Sequence, residues 1–374
     1  MRASSAAAGG RTFVLPAARG PLTEELFATL LDTPDREIQA TACSPVEDPL
    51  ADEDLQLALY VCYELHYARI EGVDERWEWA PSLLRLRGEL EQQLEDSLAA
   101  LVAGESSAEA LAPEASPRES LGFEASRLQA PGVGASPQEP ARVGAALQEI
   151  VAEDRGPALS RYVETQATLA EVLELVMHRS AYQLKEADPH SWMIPRLSGA
   201  PKAALLEVQF DEYGEGRAER IHAALFARTM LELGLDPSYG AYVQELPAIT
   251  LAAVNLMSCF GLHRRLRGAL VGHLAAFEMT SSLPNRRYGN ALRRLGFGAQ
   301  ATDFYDEHVT ADAVHEAIAA WDLADGLAAA EPDLAGQILF GARALLAVEA
   351  RWAEHLLSSW RQGASSLLQA RQTA

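Results

Sequence analysis

Near the C-terminal end of the chain stands His308-x-x-x-Asp312-x-x-His315. Positions i, i+4 and i+7 share one helical face, so all three ligating groups could meet at one spot. Two imidazoles and a carboxylate suit iron, manganese or zinc. The competing reading is a polar helix surface that holds two of the nine histidines. Spacing alone leaves both open.

A second group of ionisable residues comes earlier, in LLEVQFDEYGEGRAERIHAALF: Glu207, Asp211, Glu212, Glu215, Glu219 and His222. Apolar residues flank it on both sides, which is odd for a purely solvated face. Glu219-x-x-His222 has the i, i+3 spacing of ferritin-like diiron bundles, with Asp312-x-x-His315 as its counterpart. Alternatively Glu212 pairs with His222, ten residues on. In a straight helix those two would sit about 80° apart in azimuth, so this pairing needs an irregular turn, and Gly214 and Gly216 supply a place for one. The third piece, HRSAYQLKEADPHSW, contains His178, Arg179, Tyr182, Glu186 and His190. A carboxylate late on an amphipathic helix ordinarily faces solvent, and the pattern by itself does not single out Glu186.

The elements that would position these groups read as helices. Ala, Leu, Glu and Arg dominate, and period-two runs of Val, Ile and Thr are nearly absent. Residues 52–70 carry Leu55, Leu59, Cys62 and Leu65 at helical spacing, and 83–101 form a second amphipathic helix after Pro81. Residues 104–144 are rich in Ala, Ser, Pro, Glu and Gly, and cannot bury enough apolar surface to offset their ordering entropy. The spacing therefore divides the chain into an N-terminal helical region (1–103), a disordered linker (104–144) and a larger helical domain (145–374). In that domain long helices are expected over 157–186, 201–233, 248–280, 311–329 and 333–360. Breakers fall at Asp188-Pro189, Gly234, Pro247 and Pro284. Helices of this length with short connections make an all-α bundle, which builds cofactor sites from inward-facing side chains.

Taken in order, a Glu ending one helix, Glu-x9-His and His-x3-Asp-x2-His resemble the haem-oxygenase-like diiron oxidases and oxygenases. The surrounding YQLKEADPHSW, FDEYGEGRAERIH and FEMTSSLPNRRY are similar to actinobacterial members described as iron-containing redox enzymes. The resemblance covers roughly residues 173–323. It implies a haem-oxygenase-like helical bundle and a metal-ligand set of Glu186, Glu212, His222, His308, Asp312 and His315, favouring Glu212 over Glu219. It also implies two Fe(2+) per chain with O2 as cosubstrate, oxidising a small molecule. The members oxidise amines, amino acids, guanidines or fatty acids, by N-oxygenation or oxidative C–C cleavage. An amine or amino acid in specialised metabolism is the expected substrate here, with an electron donor that the sequence leaves unknown. Three carboxylates offset most of the charge of two ferrous ions, and three imidazoles add neutral donors.

Other residues admit ordinary structural roles beside chemical ones. Glu278, in FEMTSSLPNRR, is either an alternative carboxylate ligand or a helix-end surface charge. Arg286 and Arg287 could hold a substrate carboxylate or form surface pairs. Tyr182 and Tyr213 could orient ligands or simply pack. Glu64-x-His66 points to two different helix faces and makes a poor joint ligand pair. His263 with its neighbouring arginines fits a basic helix end, and His273 and His355 read as structural. GxGxxG, P-loop, Gly-x-Ser-x-Gly and zinc-type cysteine spacings do not occur.

Charge narrows the partners. Against 31 basic side chains stand 53 acidic ones, a formal net of -22, which argues against nucleic acid or an anionic membrane. Three scattered cysteines (Cys43, Cys62, Cys259) make no disulfide framework, so a reducing cytoplasm is expected. The N-terminus lacks a signal-peptide run. Residues 248–262, the most apolar stretch, are too short to span a bilayer and are broken by Asn255, so they read as a buried core helix. A homodimer is the base-rate expectation. Two readings compete with the diiron enzyme: a haem-binding relative using one histidine, and a non-catalytic helical scaffold whose metal site is structural or degenerate.

Overall fold

The computed structural model describes residues 10–34, 38, 45–109 and 142–369, with the side chains of 105–109, 312 and 313 outside that description. Apart from a parallel pair of two-residue strands, β1 (Thr12–Phe13) and β2 (Arg69–Ile70), the regular elements are helical. The fold is all-α, as the composition predicts.

The N-terminal helices are α1 (Pro21–Leu30), α2 (Glu53–Glu64) and α3 (Pro81–Glu109). Asp52 caps α2 by accepting from the Leu55 amide at 2.8 Å, satisfying a donor that the helix leaves orphaned. Helix α3 runs beyond the expected start of the linker at 104. Residues 110–141, most of that linker, and Cys43 lie outside the described residues.

After α4 (Val143–Glu153), the expected helix over 157–186 is two, α5 (Leu159–Thr165) and α6 (Leu169–Gln183). Thr168-x-x-Glu171 makes a capping box between them, with the Thr168 amide donating to Glu171 Oε2 at 2.6 Å. A turn carrying Glu186 follows, then the short α7 (Asp188–Ser191). The stretch 201–233 is likewise divided into α8 (Gly199–Glu212) and α9 (His222–Glu232). Helix α10 (Ala248–Leu262) ends at extended His263, and α11 (Arg267–Arg294) runs straight through Pro284. Proline costs one intrahelical bond, but α11 is clamped between α12 (Ala299–Ala317) and α14 (Ala335–Arg361), so packing outweighs it. A π-helical stretch, Ile318–Asp325, and α13 (Gly326–Ala330) lie between those two.

Helix α10 sits at the centre, buried along almost its whole length as its apolar sequence requires. Its polar Asn255 is satisfied by α2, donating to the Gln56 carbonyl at 2.9 Å and to Gln56 Oε1 at 2.8 Å. Helices α1 and α2 share one hydrophobic core with the later bundle. Where α11 meets α14, Gly272 and Gly341 let the backbones touch: an added Cβ would stand 1.7 Å from the Ile338 carbonyl oxygen or 1.9 Å from that of Ala269. Cys62 and Cys259 are buried and form no disulfide among the described residues. Among the described residues no helix is long and apolar enough to cross a membrane.

Candidate metal centre

Two buried ligand groups form where α6–α7, α8, α9, α11 and α12 converge. Glu186, Glu212, His222 and His308 make the first, and Glu212, Glu278 and His315 the second. Each residue of a group offers one donor atom, all within 4.8 Å of one another. That span is close to twice a first-row metal–ligand bond of about 2.1 Å.

Glu212 and His222 meet because the chain stops being a helix between them. Gly214, Glu215 and Gly216 have φ of 69°, 54° and 80°, a left-handed run that only glycine adopts without cost. Glu212 thus ends α8, His222 begins α9, and His222 Nδ1 comes to 2.9 Å from Glu212 Oε2. Glu219, the i, i+3 alternative, is exposed, as are Glu207 and Glu215.

Helix α12 supplies one histidine to each group. Its i and i+7 positions share a face but stand about 10 Å apart along the axis. His308 and His315 therefore do not meet at one spot, as the shared face had allowed, but serve neighbouring ones. His308 Nδ1 donates to the Phe304 carbonyl at 2.8 Å, which fixes the tautomer and turns Nε2 toward Glu186 Oε1, 3.5 Å away. His315 Nε2 pairs with Asp211 Oδ2 at 3.0 Å, leaving Nδ1 at 3.4 Å from Glu278 Oε2 and 3.9 Å from Glu212 Oε1. Backbone and carboxylate partners of this kind orient metal-binding imidazoles. Asp312 lies on the same helix, but its side chain is outside the described residues.

The donor set fits a pair of divalent ions. Burial pushes the Glu186, Glu212 and Glu278 carboxyls above the usual carboxylate range, partly offset by the nearby histidines. Burial disfavours the charged His315 imidazole, but its contacts with Glu278 and Asp211 prevail and raise it to about 9. Glu186 Oε2 is buried with no hydrogen-bond partner among the described residues. Three crowded carboxylates with an orphaned oxygen are costly without a cation. A small cavity walled by Tyr182, Glu186, Glu212, Glu278 and His308 brings side chains of both groups around one space.

A larger cavity of about 470 Å³ has Glu186 and His308 in its wall. Phe226, Phe277 and Phe304 give it apolar surface, while Arg179, Arg287 and Tyr288 add polar groups. Arg179 is engaged by Glu349 at 2.9 and 2.7 Å and lies over the Trp352 ring. Arg287 donates to Ser160 Oγ at 3.1 Å, whereas Arg286 is exposed and does not line the cavity.

Glu278 and Asp211 are the groups whose roles sequence spacing did not fix. For Glu278 a signal existed. It follows buried Val271 and Leu274 at i+7 and i+4, and so continues an apolar stripe with a carboxylate. The other histidines have structural partners: His66 contacts Glu78 and Arg87, His263 meets Glu91, and His355 bonds the Ser366 carbonyl. His273 pairs with His190 at 3.2 Å.

The bundle carries paired carboxylate–histidine groups that could hold metal ions, and the comparison with known families points to iron. Residues 173–350, which contain both ligand groups, match the family described as iron-containing redox enzymes. The nitrosourea synthase of Streptomyces achromogenes subsp. streptozoticus is similar, 29% identical over 134 residues. That stretch is 35% of this chain and only 28% of the synthase, well under two thirds of its length.

Proposed function

We propose that this protein is a non-haem diiron oxygenase that uses O2 to oxidise the nitrogen of a small amine or amino acid. The observation that carries the proposal is the pair of buried groups sharing Glu212, since a bridging carboxylate is what holds two ions side by side. Glu186, His222 and His308 would hold one iron, and His315 with Glu278 or Asp312 the other. The similarity to a nitrosourea synthase favours chemistry at nitrogen. Cytoplasmic location and an external reductant complete the reading.

When bound, the irons supply dioxygen binding and electrons for its reduction. The chain's own residues set the rest. The 470 Å³ cavity reaches the site beside Glu186 and His308, so the substrate nitrogen enters on that face. Phe226, Phe277 and Phe304 exclude water there and raise the strength of every electrostatic contact. Phe304 and Asp211 keep His308 and His315 in the tautomers that present a free ring nitrogen. In N-oxygenation one oxygen atom forms the new N–O bond and the other leaves as water, with two electrons and two protons drawn from the reductant.

The test is incubation of ferrous-loaded protein with a panel of amines and amino acids under isotopically labelled dioxygen, with a reductant. Label incorporated at nitrogen in a product supports the proposal. Products cleaved at carbon without N–O bonds would overturn the N-oxygenation reading. Binding of iron without any oxygen uptake would favour a structural metal site.

A further inference from the structure

The segment Lys185–Asp188 carries the metal ligand Glu186, and both of its flanks are tied to residues far outside the family-matched segment. Lys185 is fully buried and ion-paired with Glu64 of α2, itself fully buried. Tyr239 donates to the other Glu64 oxygen at 2.6 Å. The Lys185 ammonium also lies over the rings of Tyr60 and Tyr67, at 4.9 and 4.5 Å. On the far flank, Asp188 is paired with Arg11, and its second oxygen accepts from the Tyr213 hydroxyl at 2.7 Å. Tyr213 directly follows Glu212, the carboxylate common to both ligand groups. Between the two ion pairs Ala187 has φ of 71°, a conformation that persists in a non-glycine residue only where its surroundings over-determine it.

Stability does not explain the Lys185–Glu64 pair. Desolvating two charges costs several kcal/mol per ion, and apolar replacements of similar volume are often as stable or more so. Nor does α2 need the pair to dock, since Leu55, Leu57, Leu59 and Val61 already bury its apolar side chains. What the pair does contribute is direction. It fixes the backbone one residue before Glu186, while Arg11, Asp188 and Tyr213 fix it two residues after and reach Glu212 as well.

We infer that the N-terminal region braces the metal centre: Glu64 and Arg11 are positioning residues that hold Glu186, and through Asp188 and Tyr213 also Glu212, in ligating geometry. The inference rests on the metal-site reading above.

The experiment compares ferrous-ion binding, titrated anaerobically and followed by ligand-field circular dichroism, in the full chain and in Glu64→Leu/Lys185→Met. Metal-free thermal unfolding is measured alongside. The expected result is an unfolding midpoint equal to or above wild type, with ferrous affinity lower by roughly 10–100-fold and an altered ligand-field spectrum. Arg11→Ala and Tyr213→Phe, which leave the buried pair intact, should weaken binding in the same direction. Wild-type affinity and spectrum in the double variant would overturn the brace. If the double variant fails to fold, wild-type binding by both single variants would overturn it equally. A wild-type chain that binds no ferrous iron would overturn the metal-site reading itself, and the brace with it.

Discussion

Replacing Gly214 by alanine probes the break that makes the site. Ten residues of straight helix would separate Glu212 from His222 by about 15 Å along the axis, yet their donor atoms stand 2.9 Å apart. Alanine at 214 meets two costs. Its φ of 69° is left-handed, worth about 1–2 kcal/mol against a Cβ. The new Cβ would also stand 2.6 Å from the Arg220 carbonyl carbon and the Ile221 amide nitrogen. Relieving that clash moves backbone one or two residues from His222, and overpacking of this kind costs about 1–3 kcal/mol. Together these come to about 2–5 kcal/mol. Gly216 is the control: its φ is 80° but a Cβ there meets nothing within 4 Å, so only the conformational cost of about 1–2 kcal/mol applies. At about 2 °C per kcal/mol for a chain of this size, calorimetry of the metal-free variants should show Gly214→Ala falling by about 4–10 °C, clearly more than Gly216→Ala. Ferrous titration should show Gly214→Ala losing affinity while Gly216→Ala keeps it. Equal shifts in the two variants, or unchanged iron binding in Gly214→Ala, would show that the break at Gly214 does not hold the site together.

Further outcomes follow from the same geometry. Gly272→Ala should destabilise the bundle by more than about 3 kcal/mol, the upper range of core overpacking, because its Cβ would overlap the Ile338 carbonyl; a near-native urea midpoint would count against the α11–α14 packing. Burial holds the His178 imidazole well below its ordinary range, with His355 and Arg179 adding to the effect. The unfolded chain therefore binds a proton below about pH 6.5 that the folded chain refuses, and stability is lost as pH falls through that value. Between pH 7 and 5.5 this one residue should cost wild type about 1.2 kcal/mol relative to His178→Gln, read from urea unfolding at the two pH values; parallel losses in both proteins would show that His178 titrates normally. Glu278→Ala should weaken one of two ferrous ions by at least about tenfold in an anaerobic titration and spare the other; equal binding of both would remove Glu278 from the site.

Much of this was legible before any coordinates. Helical composition is a local signal, and the structure realises it, whereas periodicity reads 157–186 as one helix and misses the equally local Thr168-x-x-Glu171 cap. His308 and His315 stood out because their spacing puts both on one helix face, although spacing alone left a polar surface equally open. The choice between Glu212 and Glu219 was not legible, because it depends on a left-handed run at 214–216 whose glycines permit a break without requiring one. Helix continuity misled for related reasons. Residues 201–233 keep helical periodicity across that break, while Pro284 looks like a stop yet sits inside α11, held by its neighbours. The ion-pair partner of Lys185, Glu64, lies 121 residues away, beyond the reach of any periodicity.

If Glu212 is shared by two metal sites, anaerobic titration of the metal-free protein with ferrous iron will reveal both. Exposure to oxygen with rapid-scan absorption follows, alongside His308→Ala. Two irons per chain are expected in wild type, with a transient visible absorption on oxygen addition that is lost in the variant. Fewer than one iron per chain and no oxygen-dependent absorption, with amine and amino-acid substrates present as well as absent, would contradict that sharing.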